Sequence, residues 1–566
     1  MHDLTFEDAI DHITRTDPRF LLSRQTIRGV SYPVFANAPR SIPALLADCR
    51  QYHGDGTDLY LVYQDERWTY DEFCRDVNKL AHALSKNLQV QPGDRVAIAM
   101  RNYPEVLIAM MAISSIGGVI VFLNGWWTTE ELDYALSDSG AQLVFADGER
   151  AKRLRPLIDS HALRLVGVRE AEECAAHAYG ELMQLDEKVT VPTYDPHPDD
   201  DFAIMYSSGT TGHPKGVVQT HRGAISAVYS WWMTGLLIPL TMSAEEFAAK
   251  ELRPKAALVV TPLFHVTATH SMFLLSLPMG GKLVLMYKWD AEEAVRLVEQ
   301  EGITRFMGVP TQSAELMEAA RRLGAKLPTL EFLGSGGAKR PPVQVGQLHK
   351  TFPHAAIATG WGMTETNAIG IGTFGEDYIA RPNSAGRLYP PLQEMCILDD
   401  ERRRLPVGET GEIVVKSVAN MRCYLNQPEP TAEILQDGWL HTGDLGYVDD
   451  EGFVTIVDRK KSIIIRGGEN ISCLDVEAAL HRHPHVLEAG VFPVPDERLG
   501  EVVGAGIQLR PNLDLTQEDL VAFLTKHIAR FKIPQYIWFQ KHPLPRGATD
   551  KIDRRVLSQL CLERHE

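Results

Sequence analysis

Short β-branched segments alternate with helical patterns along most of this 566-residue chain, and the alternation limits the folds available to it. In one passage Asp290 can cap a helix that carries one apolar stripe, and Gly302 ends that helix. A strand at Ile303–Val309, a helix at residues 313–323 and a strand at Leu330–Leu333 follow. This pattern predicts parallel sheets with helices on both faces, and such sheets bind ligands at the carboxyl ends of their strands.

The segment Val106–Leu123 is apolar and has no charged residue, so it lies at the lower length limit for a membrane-spanning helix. Gly117 and Gly118 interrupt it. We therefore predict a buried helix, a break and a buried strand at Val119–Leu123, and no stable membrane insertion.

The charge balance argues against several classes of partner. Lys plus Arg is 57 and Asp plus Glu is 74, which gives a formal net charge of −17. Nucleic acid and anionic membrane surfaces are unfavourable partners for such a chain, so a site for a polyanion must be built locally. The seven cysteines are scattered without C-x-x-C spacing, and the first residues are polar with no visible secretory signal. A reducing, cytoplasmic location is the expectation.

The pattern of predicted elements changes beyond about residue 385, where shorter strands joined by hairpin turns begin. A charged cluster, Asp458-Arg459-Lys460-Lys461, comes before a last stretch that predicts helices at Val476–His481 and Leu515–Phe531 and a strand at Glu488–Val494. The expected division is a large domain at residues 1–457, a hinge at 458–461 and a small domain at 462–566.

The most informative segment is the loop that follows a predicted strand at Phe202–Tyr206. Its hydroxyls, backbone N–H groups and glycines can approach phosphate oxygens closely, and its lysine adds a positive charge. It is not a Walker loop, because Gly216 follows Lys215 where that loop has Ser or Thr. The candidate phosphate-binding residues are Ser207, Ser208, Gly209, Thr210, Thr211, Gly212 and Lys215.

Seven ordered motifs together resemble the adenylate-forming superfamily, which includes acyl-CoA synthetases, aryl-CoA ligases, beetle luciferases and the adenylation domains of peptide synthetases. The motifs are Tyr206–Val217, Pro262–His265, Gly334–Ala338, Gly360–Thr366, His441–Asp444, Asp458–Ile471 and Pro545–Lys551. The resemblance covers roughly residues 40 to 560. It implies an α/β fold: a large N-terminal domain of parallel sheets layered with helices, a small β-barrel-like part, and a small mobile α+β C-terminal domain.

The resemblance implies a reaction in two halves. A carboxylate attacks the α-phosphorus of ATP to give an acyl-adenylate and pyrophosphate, and a thiol then displaces AMP. The first half brings an anionic nucleophile to a triphosphate, so the site must supply positive charge where negative charge accumulates. Lys551 resembles the mobile catalytic lysine, with Lys215 and His265 as further catalytic candidates. Asp550 departs from the family pattern, which usually has Gly before this lysine, and the departure puts the rate in doubt.

The resemblance also assigns ligand-binding roles. Glu365, with Thr210 or Thr211, matches the magnesium site, and Asp444 matches the acceptor for the ribose hydroxyls. Arg459 is expected to contact ribose or phosphate, and Trp361 to stack on adenine. The remaining expected nucleotide-binding residues are Gly336, Gly337, Ala338, Thr359, Gly360, Gly362, Met363 and Thr364.

A swinging small domain is implied as well, with Asp458, Arg459 and Lys461 matching its hinge. In one pose Lys551 enters the site, and in the other a loop for pantetheine faces it. That loop supplies the CoA-binding candidates Arg466, Gly467, Gly468 and Glu469, with weaker candidates in Arg530 and Lys532 for the CoA phosphates. The acyl-pocket candidates are His265, Trp231, Trp232, Val309, Gly334 and Met363.

The leading interpretation is an ATP-dependent acid–CoA ligase that uses ATP, Mg²⁺ and CoA as co-substrate. Its acid is open among medium- or long-chain fatty, thioether and aryl acids. One alternative is a stand-alone adenylation enzyme that loads a carrier-protein thiol. Another is an acyl- or nucleotide-binding protein of low turnover, which Asp550 would allow; no feature favours a luciferase. The expected partners are small molecules, and a homodimer is left open.

Overall fold

The local sequence signals produce the elements they predict in the large domain. Asp290 caps a helix by accepting a hydrogen bond from the Glu293 N–H at 2.9 Å. The apolar segment at Val106–Leu123 splits into a buried helix and a buried strand, as its two glycines indicate. The computed structural model describes residues 3–184, 194–207, 214–249, 253–466, 469–547 and 551–563.

Within the described residues the strands are β1 Leu22–Ile27, β2 Val30–Phe35, β3 Leu59–Tyr63, β4 Glu66–Thr69, β5 Arg95–Ala99, β6 Val119–Phe122, β7 Leu143–Ala146, β8 Arg164–Gly167, β9 His177–Ala178, β10 Asp201–Ser207, β11 Lys215–Thr220, β12 Ala256–Val259, β13 Lys282–Leu285, β14 Arg305–Gly308, β15 Phe332–Ser335, β16 Ala356–Gly362, β17 Gly370–Phe374, β18 Arg387–Leu388, β19 Gln393–Leu398, β20 Gly411–Ser417, β21 Cys423–Tyr424, β22 Leu435–Gln436, β23 Trp439–Val448, β24 Val454–Arg459, β25 Ile463–Arg466, β26 Glu469–Ser472, β27 Val486–Asp496, β28 Gly500–Leu509 and β29 Tyr536–Gln540.

The α-helices in the same part of the chain are α1 Phe6–Thr16, α2 Ile42–Asp48, α3 Tyr70–His82, α4 Pro104–Ser115, α5 Thr129–Ser139, α6 Gly148–Leu154, α7 Ile158–His161, α8 Tyr179–Leu182, α9 His221–Thr241, α10 Ala244–Ala249, α11 Val266–Ala268, α12 Leu275–Met279, α13 Ala291–Gln300, α14 Pro310–Leu323, α15 Pro342–Thr351, α16 Glu376–Ala380, α17 Pro428–Ile434, α18 Cys473–Leu480, α19 Gln517–Leu524 and α20 Arg554–Leu562. Short 3₁₀ or π turns occupy Cys49–Tyr52, Ala83–Asn87, Arg155–Leu157, Arg169–Cys174, Thr269–Leu274, Thr364–Thr366, Lys460–Ser462 and Arg530–Lys532.

Two large, mainly parallel sheets form the N-terminal part. One has the order β21-β11-β10-β6-β5-β7-β8-β9, and the other has the order β18-β17-β16-β15-β14-β12-β13-β3-β4. The largest apolar core lies between their facing sides and includes α3, α4 and α9. Separate cores cover the two outer faces, beneath α5 and α6 on one side and α13, α14 and α15 on the other. This layering agrees with the predicted α/β fold class.

Helix α9 is the one described helix that is long and apolar enough to cross a bilayer by length and composition. Of its most apolar window, 67% is buried inside the protein. Its apolar residues therefore serve in large part as core.

Smaller antiparallel sheets follow. β19, β20, β22, β23 and β24 form the first, which ends at Arg459, and Ile463 begins the second, made of β25 to β29. The second sheet packs against α18, α19 and α20. The helix expected at Leu515–Phe531 is shorter than predicted. It ends at Leu524, and Ile528 and Phe531 reach the same core from the following turns.

Candidate active site

The carboxyl ends of β14, β15 and β16 bring two glycine-rich segments together. Ser335 lies opposite Thr359 in the parallel register, and the Gly336 N–H donates to the Gly308 carbonyl at 3.1 Å. A Cβ placed on Gly336 would lie 3.6 Å from the Gly360 carbonyl oxygen, so the two segments form a narrow slot. The slot includes the predicted nucleotide-binding residues Gly336, Gly337, Ala338, Thr359 and Gly360.

Asp444 lies beside this slot on β23 and is only 3% exposed. The Trp361 indole N–H donates to its Oδ2 at 2.7 Å, and Arg459 Nε lies 3.2 Å from its Oδ1. Burial raises the pKa of Asp444, while the Arg459 charge and the Trp361 hydrogen bond oppose that rise. Two donors therefore fix the orientation of the Asp444 carboxyl group.

Lys551, from the small domain, lies against the same loops. A Cβ on Gly337 would be 3.0 Å from its Cε and 3.5 Å from its Nζ. Burial, followed by the nearby positive charge of Arg459, lowers the pKa of Lys551 to about 8, and Asp444 acts in the opposite direction. The small domain therefore places a lysine of reduced basicity beside Asp444.

His265 faces the same region just before α11. Its Nε2 is buried and has no hydrogen-bond partner among the described residues. Burial, with a smaller contribution from the Lys551 charge, lowers the pKa of His265 to about 3. His265 is therefore neutral at physiological pH and keeps one ring nitrogen free for a ligand.

A second group of charged residues lies where β10 ends and β11 begins. Lys215 lies opposite Ser207 in the antiparallel pair β10–β11, and its Nζ lies 4.7 Å from the centre of the Tyr424 ring. The Tyr424 hydroxyl donates to Glu365 Oε1 at 2.8 Å, and Glu365 is 6% exposed. One tyrosine therefore connects the predicted phosphate lysine with the predicted metal ligand.

Hydrogen bonds tie the Glu365 turn to this sheet. The Thr364 carbonyl accepts from Gln219 Nε2 at 3.0 Å, and the Met363 N–H donates to Thr366 Oγ1 at 3.0 Å. A Cβ on Gly362 would lie 2.0 Å from the Ala368 carbonyl oxygen, so only glycine fits there.

Two of the acyl-pocket candidates, Val309 and Gly334, lie on neighbouring chain segments next to the slot. Val309 Cγ1 lies 4.0 Å from a Cβ built on Gly337. Gly334 lies on the neighbouring strand, β15. Trp231 on α9 contacts the Tyr389 ring edge to face, with centroids 6.5 Å apart. The expectation for Trp232 is wrong. It turns away into the core, because neighbouring residues of a helix face different sides, and packs there against Phe20, Tyr52 and Tyr229.

The proposed hinge and CoA residues lie at the junction of the two antiparallel sheets. Asp458 is 1% exposed and accepts from the Leu474 N–H at 3.1 Å and from Ser472 Oγ at 2.9 Å. Arg466 on β25 lies opposite Glu469 on β26 in the antiparallel register. Lys532 forms an ion pair with Asp475 at 3.0 Å, so it is not free for a CoA phosphate in this pose.

Several predicted residues cannot be placed. The side chain of Lys461 and the whole of Ser208, Gly209, Thr210, Thr211, Gly212, Gly467, Gly468 and Asp550 lie outside what the structure describes. Among the described residues no three His, Cys, Asp or Glu side chains converge as a metal cluster. Glu365 is a single carboxylate that accepts a hydrogen bond from Tyr424, whose strand β21 pairs with β11. This suits Mg²⁺, which commonly uses one or two carboxylates together with substrate phosphates and water.

Sequence reasoning missed Tyr424 and Ser335. Tyr424 reaches the site through the pairing of β21 with β11, a contact between segments some 200 residues apart that has no local signal. Ser335 belongs to the motif Gly334–Ala338, but the sequence could not show that its hydroxyl is buried. Its Oγ has no hydrogen-bond partner among the described residues.

Comparison with known proteins agrees with this arrangement. A family model described as AMP-binding enzyme matches residues 49–425, and one described as AMP-binding enzyme C-terminal domain matches residues 475–551. The long-chain-fatty-acid–CoA ligase of Bacillus subtilis (strain 168) is 30% identical over 558 residues, which cover 93% of this chain and 95% of that protein. The feruloyl-CoA synthase of an Amycolatopsis species is 33% identical over 86% of this chain and 92% of that protein.

Solved structures give the same result. The o-succinylbenzoate CoA synthetase of Bacillus subtilis, in complex with its acyl-adenylate intermediate, has a TM-score of 0.76 and 28% identity over 91% of this chain and 97% of that one. The same synthetase has been solved with ATP and a magnesium ion. From its motifs, its two matched domains and its relatives, the chain belongs to the AMP-binding enzyme family, in which its relatives are acid–CoA ligases.

Proposed function

We propose that this protein is an ATP-dependent acid–CoA ligase that forms an acyl-adenylate and then an acyl-CoA. The observation that carries the proposal is the position of Lys551. A lysine from the C-terminal domain lies against Gly337 of the nucleotide slot, within electrostatic reach of Asp444, Arg459 and His265. Such a cation can bridge the attacking carboxylate and the α-phosphate as negative charge develops between them.

The nucleotide is held by the slot and by Asp444. A buried carboxylate can accept hydrogen bonds from both ribose hydroxyls, and the Trp361 and Arg459 donors keep it in position for them. Adenine then lies between the segments at residues 334–337 and 359–361. Stacking on Trp361 is part of this proposal.

The triphosphate lies towards Lys215, whose ammonium is held over the Tyr424 ring. Glu365 would hold Mg²⁺ beside the phosphates, and the ion supplies positive charge that offsets the charge of the triphosphate when bound. Tyr424 orients Glu365 through the 2.8 Å hydrogen bond. Lys215 then contributes a fixed positive charge on the opposite side of Tyr424.

The acid enters beside His265. Because this imidazole stays neutral, it does not repel Lys551, and its unpartnered Nε2 can hydrogen-bond the substrate carboxylate or its adenylate. The apolar part of the acid lies between α9 and the strands that carry Val309 and Gly334. Orientation of the carboxylate towards the α-phosphate is the role proposed for His265.

The second half needs the small domain to turn about residues 458–461, so that Lys551 leaves and the β25–β26 hairpin faces the site. The division into residues 1–457, 458–461 and 462–566 is part of this proposal. Asp458 suits the hinge because it lies at the end of β24 and accepts a hydrogen bond from the Leu474 N–H at the start of α18, so it connects the two parts that would move. The thiol of CoA then attacks the acyl carbon, the bond between that carbon and the phosphoryl oxygen breaks, and AMP leaves.

A cytoplasmic location without membrane insertion completes the proposal. It is supported by the six described cysteines, none of which forms a disulfide bond, and by the burial of most of α9. Cell fractionation tests it, and recovery of the protein with washed membranes would reject it. Light scattering decides between a monomer and the homodimer that the sequence left open.

The activity is tested with a panel of carboxylic acids, ATP, Mg²⁺ and CoA, with AMP, pyrophosphate and acyl-CoA measured separately. We expect all three products with at least one acid. Carrier protein in place of CoA is the matched control and should give no acyl transfer. Failure of every acid to release pyrophosphate would reject the proposed function.

A further inference from the structure

An unpaired cation lies on β14, below the site, on the side of the strand that faces α9. Arg305 makes no hydrogen bond or ion pair with any described residue, and its Nε is buried. Its guanidinium carbon lies 4.2 Å from the centre of the Phe332 ring. The neighbouring cations at this edge of the sheet are paired: Lys255 with Glu331 and Lys282 with Glu301, both at 2.9 Å.

Arg305 is partly exposed, but its Nε is buried without a partner, and a partly enclosed guanidinium without a counter-ion lowers the stability of the fold. Burial lowers the pKa of Arg305 to about 10, and among the described residues the Tyr389 hydroxyl acts in the opposite direction. Arg305 therefore remains charged at physiological pH. A charge kept at this cost, when the adjacent strands offer it no acid, indicates that its partner comes from outside the chain.

The contacts of Arg305 connect it to the proposed acyl pocket. Along the β14–β15 register, Arg305 lies opposite Phe332, and Met307 lies opposite Gly334. A Cβ on Gly334 would touch the Phe332 ring at 2.6 Å and Met307 Cε at 2.9 Å, so these two side chains lean over Gly334. An apolar surface therefore leads from Gly334 down to the guanidinium.

The distance suits an elongated ligand. Arg305 begins β14, and Val309 follows the end of that strand, near Gly337 and Lys551. At about 3.3 Å per extended residue, Arg305 is roughly 13 Å from the level of Lys551. Towards α12, Arg305 also lines a small pocket together with Leu275 and Met279. A chain with its activated carboxylate at Lys551 would place its other end at Arg305.

We propose that Arg305 binds a second carboxylate, at the far end of the acyl substrate, so that the preferred acids are dicarboxylic acids with an apolar middle. This inference rests on the proposed acid–CoA ligase function and narrows its substrate class. Arginine is suited to the role because its planar fork can bond both oxygens of a carboxylate. The apolar stretch between Gly334 and Arg305 accounts for the apolar middle.

The test compares adipic, suberic, sebacic and dodecanedioic acids with the monocarboxylic acids of equal length, by kcat/KM for pyrophosphate release. The wild-type protein should prefer a dicarboxylic acid over its monocarboxylic partner by about 10-fold or more. Arg305→Met should lower kcat/KM for that dicarboxylic acid by about 100-fold and invert the preference, because the second carboxylate then loses its partner in a buried place. Lys255→Met is the matched control and should keep the wild-type preference, since Lys255 is already paired.

A second measurement does not depend on turnover. Without ligand, Arg305→Met should melt at a higher temperature than the wild-type protein, because it removes an unpaired charge whose Nε is buried. A lower Tm would mean that Arg305 is satisfied within the fold, and would overturn the inference. So would a wild-type preference for monocarboxylic acids that Arg305→Met leaves unchanged. Absence of pyrophosphate release with every acid would instead reject the ligase function itself.

Discussion

The ammonium of Lys551 is held where the protein itself lowers its proton affinity. Burial and Arg459 bring its pKa to about 8 from the usual 10.5, so it loses its proton at a lower pH than an exposed lysine. Only the charged form can stabilise the negative charge of the adenylation step. We therefore predict that kcat/KM for adenylation falls as the pH rises through about 8, since this parameter reports on the free enzyme.

The control for this prediction is Lys551→Arg, which stays charged at every accessible pH. It should be slower than the wild-type protein but should lose the alkaline fall. Pyrophosphate release measured from pH 6 to 10 gives both profiles. A wild-type profile that stays level up to pH 10 would remove Lys551 from the charged role assigned to it.

Glu365 provides the test of the metal site. Glu365→Gln keeps an oxygen that can accept from Tyr424, so the fold should be preserved while the carboxylate charge is lost. The Mg²⁺ concentration for half-maximal activity should rise by about 10-fold or more. Tyr424→Phe leaves the charge in place and should shift this concentration less. An unchanged Mg²⁺ titration of Glu365→Gln would show that the metal binds elsewhere.

At the scale of elements, the turn after β15 leaves room for Lys551 only because residue 337 is glycine. Its φ is +78°, which L side chains rarely adopt, and a methyl group there would press on Lys551 Cε at 3.0 Å. Gly337→Ala should therefore slow adenylation by about 100-fold, the effect expected when a reacting group is displaced by about 1 Å. Thioester formation from supplied acyl-AMP should stay near the wild-type rate, and equal loss of both steps would contradict this explanation.

The junction between β24 and α18 depends on Asp458, which accepts hydrogen bonds from the Ser472 hydroxyl and the Leu474 N–H. Asp458→Ala leaves these buried donors unpaired and should lower the free energy of unfolding by about 1–3 kcal/mol, measured by urea denaturation. The exposed Asp450 provides the control, because Asp450→Ala removes a carboxylate from a hairpin turn of the same sheet. Equal stability of the two variants would mean that Asp458 does not secure this junction.

Over the whole molecule, the features that could be predicted from the sequence are those that depend on a few adjacent residues. The Asp290 cap and the break at Gly117 depend on a few adjacent residues, and the glycine motifs at 334–337 and 360–362 mark strand ends. Tyr424 and Arg305 could not be placed in this way, because their surroundings depend on which distant strands become neighbours. An arginine inside the otherwise apolar strand pattern at Ile303–Val309 was visible, but its lack of a partner appears only once β12 and β15 flank it.

In the proposed reaction a carboxylate oxygen attacks the α-phosphorus of ATP, and isotopic labelling of that oxygen follows this step. An acid that the enzyme accepts as substrate is labelled with ¹⁸O at both carboxylate oxygens and mixed with the enzyme, ATP, Mg²⁺ and CoA. The nucleotide and phosphate products are then analysed by mass spectrometry. We predict that each AMP carries one ¹⁸O atom and that pyrophosphate carries none, because thiol attack leaves the former carboxylate oxygen on phosphorus. Unlabelled AMP, or label in inorganic phosphate together with ADP, would contradict the account.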